Sequence, residues 1–155
     1  NIMAITTNAI CNSFKKELMQ ADHDFDTSSD TYKLAMYKST ATLGASTTGY
    51  SANLGGTGTE VSNTGTYTAG GKALVNQGVK VSSGVAITSF ATLSFTGVTL
   101  TARGALIYNT TMGSGSNTTD AVCVLDFGGD KTATSGTFTI QFPAFTTSAA
   151  ILRLA

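Results

Sequence analysis

Charge is scarce in this sequence, and so are the residues that usually carry chemistry. Nine Lys and Arg stand against nine Asp and Glu, together 12% of 155 residues, with no net charge. Neither sign forms a long block, so the basic face that drives binding to a nucleic-acid backbone is missing and a DNA or RNA partner is not expected. His23 is the one histidine. That excludes a His-pair metal site and makes any Ser-His-Asp triad depend on a single side chain, with no serine in a nucleophile-elbow sequence. Cysteine is limited to Cys11 and Cys123. Without a C-x-x-C pair neither a zinc site nor a disulfide framework can be read; two small buried apolar residues fit, with one bridge as the alternative. Tryptophan is absent and Pro143 is the one proline. No run approaches the ~20 apolar residues of a membrane-spanning helix, and no basic-then-apolar leader opens the chain. A soluble protein made in a cytoplasm, without membrane contact, is expected.

What is present is hydroxyl and β-forming residues. Serine and threonine make up about a quarter of the chain, well above ordinary usage. The length fits one domain, 1–155, able to hide roughly 70% of the surface its unfolded chain exposes. Few charges leave little repulsion between copies, which favours a self-associating subunit. The first segment, "TTNAICNSFKKELMQADHDF", predicts a helix at about 8–20, capped by Thr7 or Asn8. Ile10, Phe14 and Leu18 share one face of it, with Lys15, Lys16 and Glu17 turned away. From Thr31 the period changes to two. "TYKLAMYKS", "VKVSSGVAITSF", "ATLSFTGVTLTA", "GALIYNTT", "AVCVLDFGG", "GTFTIQFP" and "AAILRLA" predict seven or eight strands separated by glycines. The expected fold is all-β: an antiparallel β-sandwich, jelly-roll-like or, as second choice, immunoglobulin-like, with one N-terminal helix. Gly44 to Gly71 and Asn109 to Asp120 read as long exposed or mobile loops, which in an assembly protein would be contact arms.

The motifs mostly fail on inspection. Asp22, Asp24 and Asp26 occupy the first three ligand positions of an EF-hand loop, but Thr27 stands where the turn glycine belongs and Lys33 where the bidentate acid belongs. A solvated helix exit is the better reading, with His23 in a surface turn. "TAGGKALV" has a lysine after two glycines, yet Thr66 and Ala73 break the phosphate-loop spacing, leaving the start of a strand. Asn109 and Asn117 sit in glycosylation sequons expected by chance in so threonine-rich a chain. "LDFGGDKTATSGTFTIQFP" contains DFG without the other kinase signatures. It predicts two strands around a turn in which Gly128, Gly129 and Gly136 supply positive φ. Asp126 and Asp130 would bond backbone amides, and Pro143 would end the pairing.

Taken in order, the N-terminal helix, "HDFDTSSDTYKLAMYKST", "GTYTAGGKAL", "TARGALIYN" and "VCVLDFGGDKTATSGTFTIQFP" resemble the small virion structural proteins of tailed bacteriophages. The resemblance runs from about Met3 to the end. It implies a non-enzymatic protein of the virion, made in the host bacterial cytoplasm, with no catalytic residue, cofactor, metal or small-molecule substrate. A capsid decoration or cement role follows, with protein contacts to itself and to the major capsid protein. Residues 9–19 and "AAILRLA" are candidate contact elements, or plain core. The alternative is a tail-associated or receptor-binding component, which an exposed aromatic platform near Tyr50 or Tyr67 would favour. A cell-wall hydrolase would need distant acids, such as Glu17 and Asp120, to meet in space.

Overall fold

The structure, a computed structural model, describes residues 5–111 and 118–155. Among these residues the elements run β1 (Ala9–Ile10), α1 (Asn12–Met19), β2 (Tyr32–Tyr37), β3 (Lys72–Ala73), β4 (Asn76–Ser82), β5 (Val85–Phe90), β6 (Leu93–Asn109), β7 (Asp120–Ile140) and β8 (Leu152–Leu154). Every pairing is antiparallel. The strands form a five-stranded sheet, β1-β7-β6-β2-β3, and a three-stranded sheet, β4-β5-β8. The fold is all-β with one short helix, as the period-two runs imply.

Burial along β6 shows how the sequence sets the layers. Phe95, Val98, Leu100 and Ala102 are buried while Thr96, Thr99 and Thr101 are exposed, the signature of a sheet with one wet face. From Ala105 to Asn109 every residue is buried, because both faces are covered there. A chain of rings joins the two sheets: Phe25 stacks on Tyr32 of β2 at 4.5 Å, and Tyr32 meets Phe90 of β5 at 5.7 Å. Phe90 in turn meets Phe142 at 5.6 Å.

Three expectations are corrected. The helix begins at Asn12, not near residue 8, because Ala9 and Ile10 are extended and pair with Val124 and Cys123 of β7. Neither Thr7 nor Asn8 caps it; Cys11 occupies the cap position without a side-chain bond, and Asn8 Oδ1 accepts the Asp126 N–H at 2.6 Å instead. The "GGDKTATSG" turn is not a turn. β6 and β7 each continue as single strands of 17 and 21 residues. The register jumps between Ala102↔Lys131 and Gly104↔Asp126, so residues 127–130 bulge from the ladder. Gly128 takes positive φ there, at 78°, while Ser135 at 47° does what Gly129 and Gly136 were expected to do.

The third correction concerns residues 44–71, which are tied down along much of their length. Beyond the two-residue β3, this segment completes the open side of β2: Val61 N–H donates to Met36 C=O at 2.9 Å, and Lys38 N–H to Thr59 C=O at 2.9 Å. Met36 N–H donates to the buried Tyr67 hydroxyl at 2.8 Å. A side chain thus takes the place of a neighbouring strand. Tyr67→Phe should cost about 1–3 kcal/mol, the usual penalty of a buried N–H left without an acceptor. Urea denaturation should show a lower midpoint at unchanged slope.

Candidate functional site

The polar groups that sequence reading scattered over a helix exit, a surface turn and two strand ends come together at one end of the five-stranded sheet. Glu17 lies on α1, His23 and Asp30 on the segment that follows it, Asn109 ends β6 and Asp120 begins β7. The His23 side chain is fully buried, and that of Glu17 is 15% exposed. His23 is therefore not in a surface turn: its ring packs 4.8 Å from Phe14 and 6.3 Å from Tyr32. Its Nε2 lies 3.5 Å from Glu17 Oε1, and its Nδ1 lies 3.1 Å from Asn109 Nδ2. Asn109 Nδ2 also donates to Asp30 Oδ2 at 2.8 Å. Glu17 and Asp120 carboxyls are within hydrogen-bonding reach of one another. Burial, then the neighbouring Asp120 and Asp22, push the Glu17 carboxyl up to about 8, against a small opposing pull from Lys16. Burial holds His23 below its ordinary range despite the surrounding acids.

Glu60, the other glutamate of the chain, is buried in a second polar cluster. Both its oxygens accept the Gly70 N–H, at 3.1 and 3.0 Å, and the Tyr50 hydroxyl bonds to it as well. Burial raises its pKa, opposed by those donors. Tyr108 donates to Gly70 C=O at 2.6 Å and stacks on Tyr50 at 4.7 Å. This cluster fastens the long 44–71 segment. It also leaves Tyr67 only 1% exposed and stacks the half-buried Tyr50 against Tyr108.

The remaining sequence candidates act locally. Asp24 Oδ1 accepts the Asp26 N–H at 2.9 Å, and Asp26 Oδ1 the Thr27 N–H at 2.9 Å, so these acids shape a turn. No group of three His, Cys, Asp or Glu side chains suited to a metal occurs among the described residues. Asp126 accepts the Gly128 N–H at 2.9 Å and pairs with Arg103, which together hold its carboxyl below the usual range. Lys72 of "TAGGKALV" opens β3 and donates to Ser94 C=O at 2.9 Å. Cys11 and Cys123 are buried free thiols, Cys11 pushed up to about 11 by burial. Asn109 is fully buried, which leaves its sequon inaccessible in the folded chain. Asn117, with half of the second expected loop, lies outside the described residues.

Two shallow grooves open on the surface. One, of ≈ 330 Å³, runs between Lys38, Asn63, Thr101 and Asp130; the other, of ≈ 420 Å³, lies along Phe127, Lys131, Ala133 and Phe138. Neither is lined by Glu17, His23 or Asp120. More distinctive is the three-stranded sheet. Val81, Ala86 and Leu154 stand opposite one another in the ladder and so share a face with Val79. Val79, Val81 and Leu154 are 56%, 71% and 64% exposed. On the other face Lys80 sits over the Phe145 ring at 4.1 Å and Arg153 donates to Ser148 C=O at 2.9 Å, so residues 145–148 cover that side. Terminal strands β4 and β8 pair with no further strand among the described residues.

No helix among the described residues is long and apolar enough to cross a membrane. No family profile, curated protein or solved structure matches the chain.

Proposed function

We propose that the chain is a non-enzymatic structural subunit of a bacteriophage virion, a capsid decoration protein that stabilises the head through contacts with itself and with the major capsid protein. The observation that carries this reading is the exposed apolar row Val79, Val81 and Leu154 on a small sheet whose outer strands pair with no further strand among the described residues. Open edges and contiguous apolar surface are where another chain pairs and packs. A permanent contact of this kind commonly buries ~2,000 Å² or more. The finer fold reading belongs here too: ring contacts between β2 and β5 support two sheets packed as a jelly-roll-like sandwich.

The rival readings lack such support. A receptor-binding role built on Tyr50 and Tyr67 finds Tyr67 buried and Tyr50 half-buried and stacked on Tyr108. A glycan hydrolase needs two carboxyls ~5 Å or more apart across a cleft, whereas Glu17 and Asp120 are close enough to share a hydrogen bond and line neither surface groove.

Val81→Lys combined with Leu154→Lys tests the proposal, since two charges would have to be buried unpaired in the interface. The unaltered protein should sediment as an oligomer and bind empty capsids; the double variant should remain folded, sediment as a monomer and bind no capsid. Identical sedimentation and capsid binding would remove this face from the interface. Cryo-electron microscopy of intact particles then places the role: hundreds of copies on the shell fit decoration, and a few copies confined to the tail sink it.

A further inference from the structure

The Glu17 and His23 cluster is complete in only one state of protonation. Thr111 N–H donates to Asn109 Oδ1 at 2.8 Å, which fixes the orientation of that amide and points its NH2 inward. Both hydrogens of the NH2 are then spent, one on Asp30 Oδ2 and one on His23 Nδ1. His23 Nδ1 must accept, so the imidazole is neutral with its proton on Nε2, facing Glu17 Oε1. Asp120 also acts on the Glu17 carboxyl, by side-chain hydrogen bonding and by charge, and two carboxyls this close favour one proton between them. The groups run in single file: Asp30, Asn109, neutral His23, protonated Glu17, Asp120. The file crosses four segments of the chain and fastens α1 and the residues after it to the joined ends of β6 and β7.

We propose that this file is a proton-gated clasp, holding α1 on the sheet only while Glu17 carries a proton and His23 does not. A proton added to His23 would aim Nδ1–H at the Asn109 NH2, donor against donor. A proton taken from Glu17 would set two carboxylates face to face beside Asp22, with Lys16 as the cation nearest in the electrostatic balance. Asp120, Asp30 and Asp22 all act on the imidazole by their charge, and the Cys11 thiol lies near Glu17. The signs of the two limbs follow. Glu17 has its folded value raised from 4.5 to about 8, so its contribution to holding is full below 4.5 and is lost as pH rises through about 8. His23 has its folded value lowered from 6.5, so its contribution is full above 6.5 and is lost as pH falls through the depressed value. The clasp is tightest between the two limbs and opens towards alkali and towards acid. This goes beyond the assembly role and does not depend on it.

Amide hydrogen exchange on the full chain, corrected for the intrinsic effect of pH, reads the clasp directly. Amides of α1 should open about tenfold more often at pH 9 than at pH 6, while those of β6 and β7 stay level. Glu17→Gln should remove this alkaline rise, because its carboxamide donates to Asp120 and accepts from His23 without titrating. A Glu17→Gln chain that opens in alkali as the unaltered chain does would overturn the proposal. Since the chain has one histidine, the imidazole nitrogen-15 spectrum gives a second reading that needs no variant. The proton should sit on Nε2, and the ring should titrate below the ordinary 6.5. A proton on Nδ1, or titration at the ordinary value, would overturn it equally.

Discussion

Gly71→Ala should yield no folded protein. A Cβ at this position would lie 1.8 Å from the carbonyl oxygen of Leu34, 2.5 Å from its carbonyl carbon and 2.9 Å from Ala35 Cα. All three are backbone atoms of β2, which cannot rotate aside. Gly71 also sits at φ +84°, where an alanine is strained by about 1–2 kcal/mol before any clash is counted. Relief would require pushing β3 off β2, breaking the Leu34↔Lys72 pairing and the Leu74 N–H bond to Tyr32 C=O. The loss should reach several kcal/mol, comparable with the roughly 5–15 kcal/mol that holds a typical domain. Gly70 provides the control. Its φ is +96°, but an added Cβ there meets nothing closer than the Tyr108 hydroxyl at 3.5 Å. Gly70→Ala should therefore cost only the conformational strain and still melt cooperatively. Comparing soluble yield and thermal melting of the two variants checks the argument, and a Gly71→Ala protein melting within a few degrees of Gly70→Ala would refute it.

Glycine illustrates what the sequence could and could not convey. A Gly-Gly pair between two apolar runs is compatible with a hairpin turn or with a bulge in an uninterrupted strand. The choice between them rests on whether the partner strand also continues. Here Leu93–Asn109 does continue, so the Gly128–Gly129 stretch becomes a bulge. Periodicity is a sound guide to strands because alternation is imposed locally by the pleat, and it locates the helix through Phe14 and Leu18. It misjudges the helix start because the extended state of Ala9 and Ile10 is dictated by Val124 and Cys123, far away in sequence. The long 44–71 segment carries one overlooked signal. Tyr50 and Tyr67 are large rings in a glycine-rich stretch, and rings of that size rarely stay in water when a core is within reach. Of the polar clusters, the pairing of Glu17 with Asp120 is conceivable from sequence only as two acids among several. No local pattern announces it, since the contact is set by α1 packing across β7. The rarity of glutamate offers a faint hint, for both Glu17 and Glu60 hold largely buried positions.

Phe14→Ala should cost about 3–5 kcal/mol, the range for removing a buried aromatic ring. Phe14 is 3% exposed and packs against His23 at 4.8 Å and Phe25 at 5.9 Å. Phe25 continues to Tyr32 and Phe90, so the ring is the anchor tying α1 into the chain of aromatics that joins both sheets. An eight-residue helix has little stability of its own, and without this ring the polar clasp would have to hold it alone. Met19 on the same helix is 91% exposed; Met19→Ala should change stability by less than about 0.5 kcal/mol. The contrast separates two roles for α1. As core, Phe14→Ala lowers the urea midpoint of the isolated subunit sharply and any loss of assembly follows from unfolding. As a contact element, it would leave the isolated subunit nearly as stable as before and weaken only its binding to capsids. The packing around Phe14 favours the first outcome and confines any assembly role of the docked helix to its outer face.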